Sequence, residues 1–495
     1  MQRYGLSKSR VMAGLQCHKR LWLQVHRPEL VSYGPAQQRI FRQGDAVGAI
    51  ARSLFPGGVL VGGENGGGGL PPGGLRAAEL ETRRRLAGWA DTTLFEATFS
   101  YEGILVRADI LRRRAGACHM IEVKSSTKVK DSQILDAAVQ TWVLRSSGVP
   151  LERVGLMVLD RGFVYAGDGR YDGLLVETDV TEQVSDHLLA LPPKVAELRE
   201  MLAGPLPQRL IGPACTDPYE CPLLAHCCAD AGYHVSCLPR GLALAEALQG
   251  EGYRDLREVP EGRLTQPEHL RIWQATLAGR AQTDPALAEW LRCLPYPRFY
   301  LDFETISLAV PVWAGKRPWE GVPFQFSLHV EHADGRLEHH EFLDLSGDDP
   351  TRACAEALLE QLEGTQGPLL SYTSFELGRL RDMAAACPDL AARLQPLVAR
   401  VVDLYPAIKQ YYYHPDMRGS WSIKDVLPTV VPDLTYADLE GVHEGGEAEA
   451  AYGEATDPRT SGERRQQLRE QLLRYCERDT LAMVRLVRHF EALDT

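Results

Sequence analysis

The sequence predicts two α/β domains with a helical stretch between them. Three observations carry this expectation. Strand-like and helix-like patterns alternate over 92–160 and again over 298–386. The stretch 238–292 between them shows helical patterning and no recognisable chemistry. A chain of 495 residues, at ~150 residues per domain, has room for about three domains. The expected boundaries are 1–240, 241–295 and 296–495.

Each element follows from local pattern. LSKSRVMAGLQCHKRLWLQVH opens with a capping Ser and continues with apolar residues at helical intervals, and Gln38–Leu54 reads as a second helix. Gly62–Gly74 is a flexible loop by composition, and 76–91 is helical again. From Thr92 the pattern alternates and turns at Tyr101-Glu102-Gly103, which predicts a β-hairpin. ACHMIEVKSS is a further strand, 131–146 a helix and 154–160 another strand. The second α/β region starts at the strand 298–308, which ends in acids. A hairpin around Asp334-Gly335, a helix over 350–363, a strand over 368–374 and a helix over 375–386 follow. The last helix is expected at 463–492, after a mobile Gly/Glu/Ala loop at 443–462. No internal repeat links the halves.

Composition narrows the function classes. The chain is 44% hydrophobic and 24% charged, ordinary for a globular protein, which excludes a wholly disordered chain. No apolar run approaches the ~18 residues of a membrane helix. The basic N-terminal stretch lacks the apolar segment of a signal peptide, so a cytoplasmic location without membrane partners is expected. A net charge of −12 argues against coating nucleic acid through bulk charge, but suits a protein whose clustered carboxylates hold metal ions. The basic runs Arg83–Arg85 and Arg112–Arg114 are expected on solvated faces.

Three constellations carry chemistry. In the first, VRADIL and IEVKSS place Asp109 on one strand and Glu122 and Lys124 two apart on the next, facing the same side. Two carboxylates and a lysine on one sheet face suit a divalent cation that lowers the pKa of water and stabilises phosphate charge. The lysine positions or activates that water, or stabilises the transition state. The alternative is a salt bridge between adjacent strands. Asp109, twelve residues, then Glu122-Val123-Lys124, with Gln140 on the following helix, resembles the RecB-like group of PD-(D/E)xK nucleases. The resemblance implies a restriction-endonuclease-like fold, with Gln140 contacting substrate or orienting the site. The group's metal-binding His on the preceding helix has no counterpart; Gly48 stands in that register, and Glu96 is a possible substitute ligand.

The second constellation is cysteine-rich. Five of the eleven cysteines fall between Cys215 and Cys237, which in a reducing compartment points to a metal site rather than disulfides. Cys17 with Cys215, Cys221 and Cys227 resembles the iron–sulfur staple of some RecB-like nucleases, implying a [4Fe–4S] cluster with a structural role. Zinc is the alternative. The spacing of five residues between neighbours departs from that family, so Cys228 or Cys237 is a possible replacement ligand.

The third constellation spans the C-terminal region. Asp302 and Glu304 share a strand face, Glu376 lies at a strand-to-helix junction, and Tyr475 and Asp479 share a helix face. Four acids from three segments suit two divalent ions in phosphoryl transfer. The ordered set resembles the DnaQ-like (DEDD) 3′–5′ exonucleases. That implies a ribonuclease H-like fold, Mg2+ or Mn2+ on Asp302, Glu304, Glu376 and Asp479, and Tyr475 orienting water. Glu376 replaces the family's Asp. Asp403 and Asp425 are candidate supporting or capping residues. The order of the two regions resembles a family of RecB-like nucleases with a C-terminal domain of unknown function.

His329, His339 and His340 are expected on a polar exterior face, and Tyr411–Tyr413 either stack bases or pack. No P-loop is present, so processing long duplex calls for a separate helicase or a repair or defence partner. The expectation is therefore a metal-dependent nuclease acting on DNA, single-stranded or at ends, in repair or defence. The alternatives are a nucleic-acid-binding scaffold with degenerate sites and an RNA 3′ exonuclease.

Overall fold

The computed structural model describes residues 5–62, 74–88, 90–228 and 232–493. The chain is mixed α/β and forms two compact units: Met1–Cys228 with Leu308–Trp319, and Ala229–Ser307 with Glu320–Thr495. Residues 241–295 fall within the second unit. No helix of the described residues is long and apolar enough to cross a membrane. Positions 63–73 of the glycine-rich stretch lie outside the described residues.

The first unit is built on one seven-stranded sheet. Its strands are β1 (Leu6–Ser7), β2 (Val59–Leu60), β3 (Thr92–Tyr101), β4 (Ile104–Arg114), β5 (Ala117–Val123), β6 (Leu151–Leu159) and β7 (Leu175–Asp179). They run in the order β2-β3-β4-β5-β6-β7, with β1 paired on β4. The β3–β4 hairpin turns through Glu102 and Gly103, both at positive φ (47° and 74°), as a two-residue turn matched to strand twist requires. β5 and β6 are parallel, so the chain between them must cross over, and it does so through the helix Asp131–Ser146. That helix buries Ala137, Ala138, Val143 and Leu144 in the core with Leu94, Phe99 and Val106. The segment Leu308–Trp319 adds Ala309 to an apolar cluster with Val47, Leu159 and Leu174. Within the run Arg112–Arg114, Arg113 is buried rather than solvated. It donates to the carbonyls of Leu86 (2.6 Å) and Ala90 (2.7 Å), and so closes the C-terminal end of the helix Gly74–Leu86.

The second unit has β8 (Gln282–Thr283), β9 (Arg298–Ser307), β10 (Gly321–Glu331), β11 (Leu337–Leu343), β12 (Leu369–Ser371), β13 (Val401–Asp403) and β14 (Tyr412–Tyr413). Five form a mixed sheet in the order β11-β10-β9-β12-β13, and β8 pairs with β14. Alternation along β9 decides what each face does. Phe299, Leu301 and Phe303 pack with Leu358, Leu359 and Leu380 from the helices Thr351–Leu362 and Phe375–Ala386. Asp302 and Glu304 take the opposite face, against the long helix Gly462–Glu491. β9 continues through Thr305–Ser307, so the two acids lie within the strand rather than at its end.

Two further expectations differ from the structure, and of the two roles open to the tyrosine run the structure shows packing. The stretch expected as a loop over 443–462 contains the helix Gly445–Ala455. Alanine favours helix there, and Ala448, Ala451 and Tyr452 are buried, with Tyr452 stacked on Phe324 at 4.0 Å. His329 is buried, not exterior, because β10 is covered by the long helix on that face. Tyr412 and Tyr413 are buried and serve packing.

Candidate functional site

In the second unit, one carboxylate oxygen from each of Asp302, Glu304 and Asp479 lies within 4.8 Å of the others. Period-two geometry puts Asp302 and Glu304 on the same face of β9. The long helix delivers Asp479, with Tyr475 one turn before it. Glu376 enters from the first turn of the helix Phe375–Ala386. It is buried, and its Oε2 has no hydrogen-bond partner among the described residues. An orphaned carboxylate oxygen facing three further acids is the arrangement that a bound cation completes.

Burial is the first cause of the electrostatics here, and mutual repulsion is the second. Burial, then Asp479, Glu376 and Glu304, holds Asp302 well above the usual carboxylate range. Glu304 is raised the same way, by burial and then Asp479, with Lys424 opposing. Burial pushes Glu376 up to about 8, against its own helix-terminal N–H and that of Phe303. Asp479 is raised by burial, opposed first by a hydrogen bond from Tyr436 (2.5 Å to Oδ1). Four carboxylates this close cannot all ionise without added positive charge. The donor set is all oxygen, which suits Mg2+ or Mn2+.

Tyr475 accepts a hydrogen bond from Lys424 (3.0 Å) and donates to Asp479. Burial and the surrounding acids push the Tyr475 phenol far up, so it stays protonated and orients rather than abstracts. Cys476 Sγ lies 3.5 Å from Asp302 Oδ2. Asp403 caps the helix Leu404–Tyr411 by accepting from the Tyr405 N–H, and it also raises Glu376.

In the first unit, β4 and β5 place Asp109 one step beyond the Ile110–Ile121 pair, beside Glu122. Asp109 Oδ2 accepts the Val123 N–H at 2.7 Å. Glu122 is only 2% exposed, and its oxygens are taken up. Lys8 (2.6 Å) and Lys124 (2.8 Å) donate to Oε1, and Gln140 (2.6 Å) donates to Oε2. Gln140 therefore orients Glu122. Lys124 also bonds Asp136 at 2.6 Å, and Lys8 lies 3.2 Å from it. Burial pushes Glu122 upward, but Lys124, Lys8 and Gln140 reverse this and hold it far below the usual range. Asp109 goes the other way, raised by burial and by Glu122. Glu96 lies on β3 at the register position opposite Asp109, within the field of Glu122, at φ 55°, and pairs with Arg107 at 3.3 Å. A non-glycine residue held in left-handed backbone beside an acidic cluster is strain placed where side-chain direction matters.

Cys17 lies between the helices Lys8–Gln16 and His18–His26. It acts electrostatically on Cys215, Cys221 and Cys227, whose thiols are raised first by burial. The Cys221 N–H also bonds the Cys215 carbonyl at 2.9 Å. Among the described residues these sulfurs do not form a set of three within 4.8 Å of one another, and Cys228 adjoins Cys227. Cys237 belongs to the second unit.

Sequence reasoning missed Lys8, Asp136, Tyr436 and Lys424. Asp136 lies four residues before Gln140 and shares its helical face, a signal that was present. Lys8 and Tyr436 reach their sites only through tertiary packing.

Residues 299–422 match the family model described as a domain of unknown function (DUF2779). The match contains Asp302, Glu304 and Glu376 and stops before Tyr475 and Asp479. No curated protein matches the chain.

Proposed function

We propose that the chain is a metal-dependent nuclease that hydrolyses phosphodiester bonds in DNA, at single-stranded ends, with its working centre in the second unit. The observation that carries this reading is the convergence of Asp302, Glu304 and Asp479, with buried Glu376, where Lys424 and Arg478 act on Glu304 or Asp479 but, among the described residues, no lysine or arginine forms a salt bridge to the set. On this reading the unit has a ribonuclease H-like fold of the DnaQ type and works from the 3′ end. Two divalent cations held by the four carboxylates would neutralise the scissile phosphate and stabilise the attacking and leaving oxygens. The protein's own share is positional. Tyr436 and Tyr475 fix Asp479 through hydrogen bonds, and Lys424 holds the Tyr475 phenol in place. β9 sets the separation of Asp302 and Glu304. Preorganised groups of this kind spare the site reorganisation during the reaction.

A second reading applies to the first unit, and one observation favours it. Lys8 and Lys124 already occupy Glu122 and Asp136, where a PD-(D/E)xK site would bind a cation. On that reading the RecB-like unit handles nucleic acid without cleaving it in this state. Cys17, Cys215, Cys221 and Cys227 would hold a [4Fe–4S] cluster that joins the two ends of the unit, a reading supported by the electrostatic influence of Cys17 on the other three.

The test is anaerobically purified full-length protein with end-labelled single-stranded DNA and Mn2+, beside Asp302→Ala, Asp109→Ala and the double variant. Asp302→Ala is expected to lower cleavage by on the order of 10^3-fold, the scale of losing a key charge-stabilising group. Asp109→Ala is expected to retain it. Cleavage retained by Asp302→Ala and lost in Asp109→Ala would move the working centre to the first unit. An RNA oligonucleotide run in parallel identifies a ribonuclease, because RNA recognition depends on the 2′-hydroxyl.

A further inference from the structure

We propose that His329, His339 and Glu477 form a separate metal centre in the second unit, one that takes a zinc-like divalent transition cation rather than Mg2+. One ligand-type atom from each residue lies within 4.8 Å of the others. They come from three elements. His329 and His339 sit directly opposite each other on β10 and β11, and their rings are 4.5 Å apart. Glu477 comes from the long helix that lies on this face, with its Oε1 3.9 Å from His339 Nδ1.

Proton accounting shows what the cluster lacks. The Glu477 backbone carbonyl only accepts, so the Thr480 hydroxyl donates to it, at 3.1 Å. Thr480 Oγ1 must then accept from Ser327 Oγ (2.7 Å) and from His329 Nδ1 (2.8 Å). Ser327, having spent its proton, accepts from His339 Nε2 at 2.9 Å. On this assignment His329 Nδ1 and His339 Nε2 are the nitrogens that face the hydroxyls. The nitrogens left over by these bonds are His329 Nε2 and His339 Nδ1, and Glu477 adds a carboxylate. Two imidazole nitrogens and a carboxylate that converge within 4.8 Å of one another from three elements are a ligand set that a single cation can bridge. A hydroxyl anchoring the far nitrogen of each imidazole is also the arrangement that orients metal-binding histidines.

The environment permits this. His329 is 4% exposed, and His339, Arg488 and His340 are its charged or titratable neighbours. Arg488, one of those neighbours, is paired with Glu331 at 2.5 Å. Two imidazoles and one carboxylate suit Zn2+, Co2+, Ni2+, Fe2+ or Mn2+, whereas Mg2+ takes oxygen donors. The centre is distinct from the Asp302 set, though both lie under the same helix. Ser327, whose hydroxyl orders the histidines, is the β10 partner of Asp302. A cation here would tie the helix that carries Tyr475 and Asp479 to the β10–β11 hairpin.

The experiment is a Co2+ titration of anaerobic, chelator-treated full-length protein, read by visible d–d absorption. Near-ultraviolet sulfur-to-metal charge transfer separates thiolate-bound Co2+. Wild type is expected to take up one nitrogen/oxygen-ligated equivalent that Asp302→Asn also retains, and that Zn2+ displaces. His339→Asn and Glu477→Gln are each expected to weaken that equivalent at least about tenfold. These side chains are 24% and 45% exposed, so both variants should fold, which thermal melting checks. Wild-type stoichiometry and affinity in both variants would overturn the proposal. So would a wild type that binds no such equivalent, in which case His339 and Glu477 are an ion pair only.

Discussion

Each unit gathers four carboxylates beside a sheet, yet the two clusters have opposite charge balance. In the first, Glu122 and Asp136 are met by Lys8 and Lys124, and Glu96 is met by Arg107. In the second, Lys424 acts on Glu304 and Asp479 among the four acids, and its ammonium is bonded to the Tyr475 hydroxyl and the His443 carbonyl. The consequence appears in the acids themselves. In the first cluster Glu122 is held far down while Asp109 and Glu96 are raised, whereas all four acids of the second cluster are held up. Similar residue types, similarly placed, therefore differ in the property that recruits a metal ion, which is surplus negative charge. A motif read from sequence reports which carboxylates converge. The cations that arrive from elsewhere in the chain decide what the carboxylates do.

The largest effect should come from making the first cluster resemble the second. Lys8→Met leaves one lysine for Glu122 and Asp136, both less than a tenth exposed. Removing one partner of a buried pair costs about 3–5 kcal/mol. Because Lys8 is itself 23% exposed, the lower end of that range applies. The variant should melt well below wild type in chelator, and millimolar Mn2+ should recover part of the loss. A melting temperature that neither falls nor responds to Mn2+ would mean that Lys8 does not neutralise the site.

A somewhat smaller effect belongs to the second cluster and depends on pH. Glu376 has a folded pKa of about 8 against an ordinary value near 4.5. Between those values the folded protein holds a proton that the unfolded chain has lost. Stability contributed by the protonated form is full below about 4.5 and is lost as pH rises toward 8. For Glu376 alone the loss by pH 7 is on the order of 3 kcal/mol. Metal-free protein should therefore melt progressively lower from pH 5 to pH 8. Divalent cation should raise the melting temperature more at pH 8 than at pH 6, because the acids must shed protons to bind it. Glu376→Gln should flatten both dependences.

Much of this was legible before any coordinates, and the boundary of legibility has a physical cause. The β3–β4 hairpin, the Asp131–Ser146 helix, β9 and the long C-terminal helix are written in local periodicity and turn chemistry, which depend on residues within a few positions of one another. The proximity of Asp302 to Asp479, 177 positions apart, was inferred from a motif order rather than from periodicity. Lys8 reaching Glu122 across 114 positions had no local signature at all. The 443–462 stretch misled because its glycines and acids imitate a loop. Ala448, Ala451 and Tyr452 find burial that only the fold supplies. His329 misled because alternation assigns a face to a residue without saying whether that face is covered.

Tyr436 offers the finest contrast, because it touches a single member of the second cluster. Its hydroxyl donates to Asp479 Oδ1, and that bond is the largest influence opposing the rise caused by burial. In the first cluster Glu122 is held down first by the Lys124 and Lys8 ammoniums and only then by the neutral donor Gln140. Tyr436→Phe removes one hydrogen bond to a charged group, worth about 1.5 kcal/mol and so about tenfold in turnover. Asp479 would lose its main downward influence, its pKa would rise, and the acid limb of the pH–rate profile should move to higher pH. Lys424 and Tyr475 stay in place, so KM should change little while kcat falls. If kcat falls tenfold with the acid limb unmoved, Tyr436 positions the helix by packing and does not set the charge on Asp479.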